Sequence, residues 1–308
     1  MTDAGRGTVA LTGASGFIGA AIARHLASQG WRLRLLVRPG SQTRLPSLPA
    51  THVVTGSLAD PDALKQLLDG AQALVHCAGA VRGLTRADFD RVNVTGVQAL
   101  LDIADDALRM VHVSSLAARH PPLSHYAASK RAGEQRVETC LPPARRVVLR
   151  PPAVYGPGDR ELRPLLDRML QGLALIPARR DARFSLLHVD DLAAAVACLL
   201  SGNCGWGHTH EPDDGHPGGH TWQDLLAAIA RLRHGPVRAL TVPAAVLSAL
   251  GAGNELLARL TGSAPMLTRG KARELRWPDW VASGNAGLLT CGWLPAIPLD
   301  QGLRDTLR

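Results

Sequence analysis

The sequence predicts an α/β fold: a doubly wound parallel sheet followed by a smaller, mainly helical C-terminal region. Three observations predict it. Seven Val- and Leu-rich runs of strand length, TVALTG, RLRLLV, HVVTG, ALVHCA, RMVHVSS, RRVVLR and FSLLHV, recur across the first two hundred residues. Between them lie helical stretches such as FIGAAIARHLASQG, DPDALKQLLDG, RADFDRVNVTGVQALLDIADDAL and SHYAASKRAGEQRVETCL. Apolar strands separated by helices imply a parallel sheet covered on both faces. Second, a glycine-spaced turn joins the first run to the first helix. Third, the alternation loosens after VYGPGD, and the chain is mainly helical from Thr221 to about residue 282.

The first element, TVALTG, passes into LTGASGFIGAAIARHL, with Gly13, Gly16 and Gly19 three residues apart. Glycines at a strand-to-helix turn let the backbone approach a pyrophosphate, whose charge the unpaired N–H groups of the helix N-terminus stabilise. The spacing is Gly-x-x-Gly-x-x-Gly rather than Gly-x-Gly-x-x-Gly, so its strand-before, helix-after context carries the reading. Gly13, Ser15, Gly16, Phe17, Ile18 and Gly19 are expected to hold a dinucleotide, which makes the fold Rossmann-type. The second strand ends LLVRPGSQTR, placing Arg38 where an acid would hold a free ribose 2′-hydroxyl. A guanidinium there suits a 2′-phosphate, so NADP(H) is favoured, with NAD(H) the alternative.

Further along, RMVHVSS brings Ser115 to the carboxyl edge of the sheet, where ligands of open α/β sheets bind. Tyr126 and Lys130 follow, four apart on one helix face. A free tyrosine is too weak an acid to exchange protons readily at neutral pH, and a neighbouring ammonium is expected to lower its pKa. Ser115 would then hold a carbonyl or alcohol oxygen while Tyr126 exchanges the proton. The expected division is a dinucleotide-binding domain over 1–158 with 184–203, and a substrate-binding region over 159–183 with 204–308.

Composition bounds the remaining readings. The formal charge is +8 and the pI about 9.9, yet the arginines are scattered and aromatics make up only 4%. Without basic blocks interleaved with stacking rings, nucleic acid is not an expected partner. Five cysteines (77, 140, 198, 204, 291) form no Cys-x-x-Cys pair, which predicts free thiols and a cytoplasmic protein. MTDAGRGTVALTG shows no charged-then-apolar leader. VPAAVLSALGAGNELLARL, interrupted by Gly, Asn, Glu and Arg, predicts a packed amphipathic helix rather than a membrane span. His208, His210, His216 and His220 with Glu211, Asp213 and Asp214 lie in one Gly/Pro-rich stretch without metal-ligand spacing. They predict a solvated turn before a helix capped by Thr221, and no metal. His188, Asp190 and Asp191 predict a strand-to-helix junction, and Tyr155 a structural or pocket-lining ring.

The ordered motifs TGASGFIG (12–19), GSLAD (56–60), VHCAG (75–79), NVTG (93–96), VHVSS (111–115), YAASK (126–130), LRPPAVYGPGD (149–159), HVDDLA (188–193) and GWLP (292–295) carry a resemblance that covers nearly the whole chain. It resembles the extended short-chain dehydrogenases/reductases, which include NAD(P)-dependent sugar epimerases and dehydratases, 3β-hydroxysteroid dehydrogenase-like enzymes and dihydroflavonol reductases. The resemblance implies that Ser115 orients the substrate oxygen and Tyr126 is the general acid/base. It implies that Lys130 binds the nicotinamide ribose and tunes the tyrosine, with Asn93 supporting the lysine through water. Ser57, Leu58, Ala78, Gly79 and Ser114 would line the coenzyme, with Pro151 and Val154 near the nicotinamide amide. Ser57 departs from the family's usual acid at the adenine, which weakens that contact. Family habit also implies a homodimer.

Within the family, three features favour net oxidoreduction of a ketone or secondary alcohol. Leu116 and Ala117 follow Ser115 where dehydratases place acids, and Phe184 stands where nucleotide-sugar enzymes carry a diphosphate-binding arginine. Arg38 points to NADP(H), the coenzyme of net reductions. Ten residues separate Ser115 from Tyr126, a short connection that suggests an open pocket for a bulky or apolar small molecule. The alternatives are an NAD(P)-dependent sugar epimerase/dehydratase and a non-catalytic dinucleotide sensor or assembly protein; the latter typically lacks the Tyr and Lys that are present here.

Overall fold

A computed structural model describes residues 6–308 except 46, 178, 180, 263, 264 and 266. β1 (Arg6–Thr12), β2 (Trp31–Val37), β3 (Thr51–Thr55), β4 (Ala73–His76), β5 (Arg109–Val113) and β6 (Arg146–Leu149) form one parallel sheet. With the short strand Thr209–His210 at its edge, the order is Thr209–His210, β6, β5, β4, β1, β2, β3. The chain winds outward from β1 to β3, then returns to β4 and winds the other way. The connections after β1 and β4 therefore leave on opposite sides of the sheet and open a crevice at its carboxyl edge.

Alternation along these strands fills two cores. Val9, Leu11, Leu33, Leu35, Val75, Val111, Val147 and Leu149 face α1 (Phe17–Ser28) and the helix Val189–Ser201. Ala10, Leu36, Val54, Leu74 and Met110 face α2 (Pro61–Leu68) and the helices that carry Val97, Leu100 and Val137. Each fully buried Val or Leu stabilises the fold by about 1.5–3 kcal/mol relative to exposure. A third core gathers Leu166, Met169, Ile176, Trp222, Leu225, Ile229 and Leu303 from the helices Arg163–Leu170, Trp222–Leu232 and Leu299–Leu307 and the strand Leu173–Ile176.

Two local expectations hold in detail. Asp224 N–H donates to Thr221 Oγ1 at 3.2 Å and Thr221 N–H returns a bond to the Asp224 carboxylate at 2.7 Å, a closed capping box. His188 caps the helix Val189–Ser201 by accepting from Asp190 N–H, and Asp191 accepts from Ala296 and Ile297 N–H at 2.9 and 3.1 Å. Asp191 thus anchors the C-terminal segment to the helix that covers the sheet.

Four expectations are corrected. FSLLHV does not join the main sheet: Leu186–His188 pairs with Ala153–Tyr155, and Arg183–Phe184 pairs with His220–Thr221 and Asp279–Trp280. The seventh place goes to Thr209–His210, a two-residue strand too short to show a period among Gly205, Gly207 and Pro212. The His/Asp-rich stretch is a solvated turn only in part: His208 and residues 215–218 are exposed. His210, Glu211, Asp213 and His220 are buried, since Asp213 accepts from Ser185 Oγ and Asn285, and Asp214 meets His220 Nε2 at 2.6 Å. His216, His220 and Asp224 lie close enough to share a cation, but Asp224 is spent on the capping box and His220 Nε2 on Asp214.

The third correction concerns the cysteines. Cys204 and Cys291, 87 residues apart with Cα atoms at 5.4 Å, form a disulfide; Cys77, Cys140 and Cys198 are free. Spacing along the chain could not show the pairing, because the fold brings the turn after Ser201 against the segment before Trp293. The fourth concerns the helix Ala244–Thr261, which is packed on one face only: Val246, Leu250, Leu256, Leu257 and Leu260 are exposed.

Candidate active site

The carboxyl ends of β1, β4 and β5 meet at one cleft of about 2120 Å³. Its floor begins at the glycine turn. Gly13 has φ of 82°, and a Cβ on it would lie 2.7 Å from Ala78 N; a Cβ on Gly19 would lie 2.1 Å from Gly13 O. Only glycine lets these three backbones meet. Gly16 caps α1 without a side-chain bond, and no acid occupies the first turn. The amides of Phe17, Ile18 and Gly19 therefore face the cleft without intrahelical acceptors, a ready place for a pyrophosphate. Ser15 lines the same turn.

Arg38 follows β2 directly, is exposed, and lines the cleft. Arg24, Thr43 and Arg44 stand on the same wall and were missed in the sequence, because a helix surface and a 3₁₀ turn have no motif that points at a ligand. Ser57 Oγ accepts from Ala59 N–H at 3.2 Å, and Leu58 packs so closely that a Cβ on Gly96 would lie 2.6 Å from it. The residues present fit a dinucleotide along its whole expected path.

The loop after β4 is held from both sides. Ala78 N–H donates to Thr12 Oγ1 at 3.2 Å. Asn93 accepts from Ala80 N–H at 2.8 Å and donates to Ala80 O at 3.0 Å and to Ser129 Oγ at 2.8 Å. Asn93 sits in a π-helical turn, Arg91–Thr95, within the helical stretch 86–101, and such bulges often mark functional sites. Both of its N–H groups are engaged, so it fixes the loop and leaves only oxygen capacity toward a water. A Cβ on Gly79 would lie 3.3 Å from Asn93 Oδ1 and 3.7 Å from Lys130 Nζ, so this loop rests on the lysine.

Tyr126 lies in the first turn of the helix His125–Cys140, whose start is fixed twice. Ser124 Oγ accepts from Ala127 N–H at 2.9 Å and donates to the buried Glu274 carboxylate of the helix Arg269–Arg276. Ser115, two residues past the end of β5, accepts from Ala117 N–H at 3.2 Å and stands beside Tyr126 at the cleft. Burial pushes the Tyr126 phenol up to about 12; the neighbouring Ser115 opposes this, while Glu274, Glu161 and Cys77 add to it. Lys130 donates to Val113 O at 2.9 Å, and burial lowers it to about 8 against the pull of Cys77 and Glu134. The expected lowering of the phenol by Lys130 is thus not found, because Nζ is drawn back to the end of β5. Beneath the lysine, His76 and His112 stack at 5.4 Å. Burial, then Lys130, holds His76 near 3 and His112 well below its usual value. Both rings are neutral, so Lys130 is the cation at this point of the floor.

Ser114 donates to the buried Glu134 at 2.5 Å, and Arg150 grips the same carboxylate at 2.6 and 2.9 Å. Pro151 and Val154 line the cleft beside Ser114, and Pro151 O accepts from Leu116 N–H. Tyr155 is buried edge-on to His188. The far wall is apolar: Leu165, Leu175, Phe184, Trp222, Val246 and Leu250 are among its residues. Phe184 leans on Trp222 with ring centroids 5.1 Å apart, and Arg183 is turned to the carbonyls of Gly218 and Gly219.

The family model for the NAD dependent epimerase/dehydratase family matches residues 9–205, more than half of the chain. The chain belongs to that family. Its similarity to the reductases within it is closer than the family description alone conveys. It is 39% identical to a ceramide reductase of Caulobacter vibrioides over 92% of this chain and 88% of that protein. It is 28% identical to a 2-alkyl-3-oxoalkanoate reductase of Stenotrophomonas maltophilia, over 96% and 97% of the two chains. The crystal structure of gox2253 superposes with a TM-score of 0.74 at 26% identity, covering 97% of this chain and 96% of that one.

Proposed function

We propose that this family member is an NADP(H)-dependent reductase of a ketone attached to long alkyl chains. The observation that carries the reading is that Ser115 and Tyr126 line one cleft together with the apolar side chains Leu165, Phe184, Trp222 and Leu250. The coenzyme supplies hydride to the carbonyl carbon. Tyr126, protonated at every physiological pH, donates its phenolic proton to the carbonyl oxygen, and Ser115 holds that oxygen in line. Lys130 offsets the phenolate that forms, and Asn93 keeps the adjoining loop in place. Arg38, with Arg24 and Arg44, would meet the 2′-phosphate that distinguishes NADP from NAD.

Both named relatives are called reductases, and ceramide and a 2-alkyl-3-oxoalkanoate share alkyl chains beside an oxygenated centre. Phe184 on Trp222 offers such chains an apolar surface, and Phe184 itself is not a diphosphate-binding cation. The reading places the protein in the cytoplasm, where reduced coenzyme is supplied. The test follows loss of reduced-nicotinamide absorbance with a long-chain keto lipid, for the wild type and Tyr126→Phe. Tyr126→Phe is expected to lose about 10²–10⁴-fold in turnover while binding NADPH unchanged. Conversion of a sugar nucleotide without net coenzyme consumption would sink the reductase reading. Tighter NADH than NADPH binding, unaltered by Arg38→Ala, would sink the coenzyme assignment.

A further inference from the structure

The helix Ala244–Thr261 is apolar on its buried face and on the flank beside it. Leu247, Gly251 and Ala258 are buried, and Gly251 lies so close to the helix Arg269–Arg276 that a Cβ on it would stand 2.8 Å from Arg269 N. On the adjoining flank, Val246, Leu250, Gly253, Leu257 and Leu260 recur at intervals of three and four, with Leu256 beside them. Leu250 is 53% exposed, Leu256 60%, Leu257 58% and Leu260 78%. A surface helix of a globular protein ordinarily turns charge to that side, and a contiguous exposed apolar strip marks a docking surface.

We propose that this face rests on an anionic lipid bilayer, with the cleft opening onto the lipid. Two observations select that occupant. The first is charge: residues 231–280 hold eight Arg and Lys against three Asp and Glu, +5 of the chain's +8. Arg259 and Arg276 are exposed, without an ion-pair partner among the described residues, and Arg259 lies at the cleft. An apolar helix face flanked by arginines is the pattern of a helix that lies in the bilayer interface. A second copy packed on the same face through a two-fold axis would set this basic region against itself. The second is continuity: Val246 and Leu250 belong both to the exposed strip and to the cleft lining, and Leu175 and Leu275, on neighbouring elements, are likewise exposed and line the cleft. An alkyl chain leaving the bilayer would enter the cleft past Val246 and Leu250 toward Trp222. Among the described residues no helix is long and apolar enough to cross a membrane, so the contact is along the surface.

The route for substrate rests on the reductase reading; the docking does not. The test uses the full chain with vesicles of phosphatidylcholine alone or with about 30% phosphatidylglycerol, read by flotation. The wild type is expected to float with the anionic vesicles and to be released by high salt. Leu256→Ser/Leu257→Ser/Leu260→Ser, three exposed positions outside the cleft, is expected to bind at least about tenfold more weakly. The same variant should keep wild-type turnover of a short water-soluble ketone. Arg259→Glu supplies a second variant, expected to weaken binding to the anionic vesicles alone. Two outcomes overturn the proposal: a wild type that ignores both vesicles while reducing the short ketone, or a dimer in sedimentation that the triple variant splits. A wild type that floats but reduces no ketone leaves the docking in place and ends the reductase reading.

Discussion

Lys130 links the chemistry of the site to its stability. Its folded pKa, about 8, lies below the free value of 10.5, so between those values the unfolded chain binds more protons than the folded one. Stability from this group therefore rises with pH through that window and is lost as pH falls to about 8. The penalty at neutral pH is about 3 kcal/mol. Lys130→Met is expected to be more stable than the wild type at pH 7, and the difference in urea midpoint should shrink as pH approaches 10.5. For catalysis the same titration sets a ceiling: kcat/KM for the reduced coenzyme, which reports the free enzyme, should decline above pH about 8. A profile flat to pH 10 would mean that Lys130 stays charged, or that its charge is not needed. At this scale the sequence was informative where chemistry is local. Tyr126 and Lys130 share a helix face, which follows from spacing alone, while Ser115 lies two residues past the strand it was expected to end and caps the next turn. The direction taken by Nζ does not follow from spacing, because Val113 O becomes its acceptor only when β5 and the helix His125–Cys140 pack together.

Among the elements, strands and helices of the first half were legible because each buried strand is apolar and each helix keeps its own period. The edge strand Thr209–His210 was not, since two residues have no period and its place is set by β6 and by the buried groups around it. Those groups form a chain of charge: Arg131 and Arg150 on Glu134, then Arg150 and Arg119 on Glu211, which also accepts from Ser283 N–H at 3.0 Å. Glu134, wholly buried, joins Ser114 beside the cleft to the strand that begins the His/Asp stretch. Removing one member of such a network strands its partners without compensation, at a cost of about 3–5 kcal/mol. Glu134→Ala is therefore expected to lower the unfolding free energy from urea titration by that amount and to weaken coenzyme binding by loosening Ser114. Glu134→Gln, which keeps the size and one acceptor, should recover part of both. Equal stability of Glu134→Ala and wild type would show that the network is mere proximity.

Across the whole molecule, what the sequence withheld is contact between segments far apart in the chain. The apolar wall draws on Leu165, Phe184, Trp222 and Leu250, which no single motif unites, and the disulfide joins positions 87 residues apart. The bridge ties the end of the helix Val189–Ser201 to the segment that Asp191 also anchors through Ala296 and Ile297. Two independent fastenings thus hold the C-terminal segment, including the buried Trp293, whose indole N–H donates to Asp191 O at 3.0 Å. Closing a loop of this length restricts the unfolded chain by about 4–5 kcal/mol in the chain-entropy account. Cys291→Ser, or dithiothreitol on the wild type, should lower the melting temperature with KM and kcat unchanged, because neither cysteine reaches the cleft. Asp191→Asn, which weakens the other fastening, should cost more in the reduced protein than in the oxidised one, since each tie limits the freedom that the other must remove. Strictly additive losses would show that the two act on separate segments of the fold.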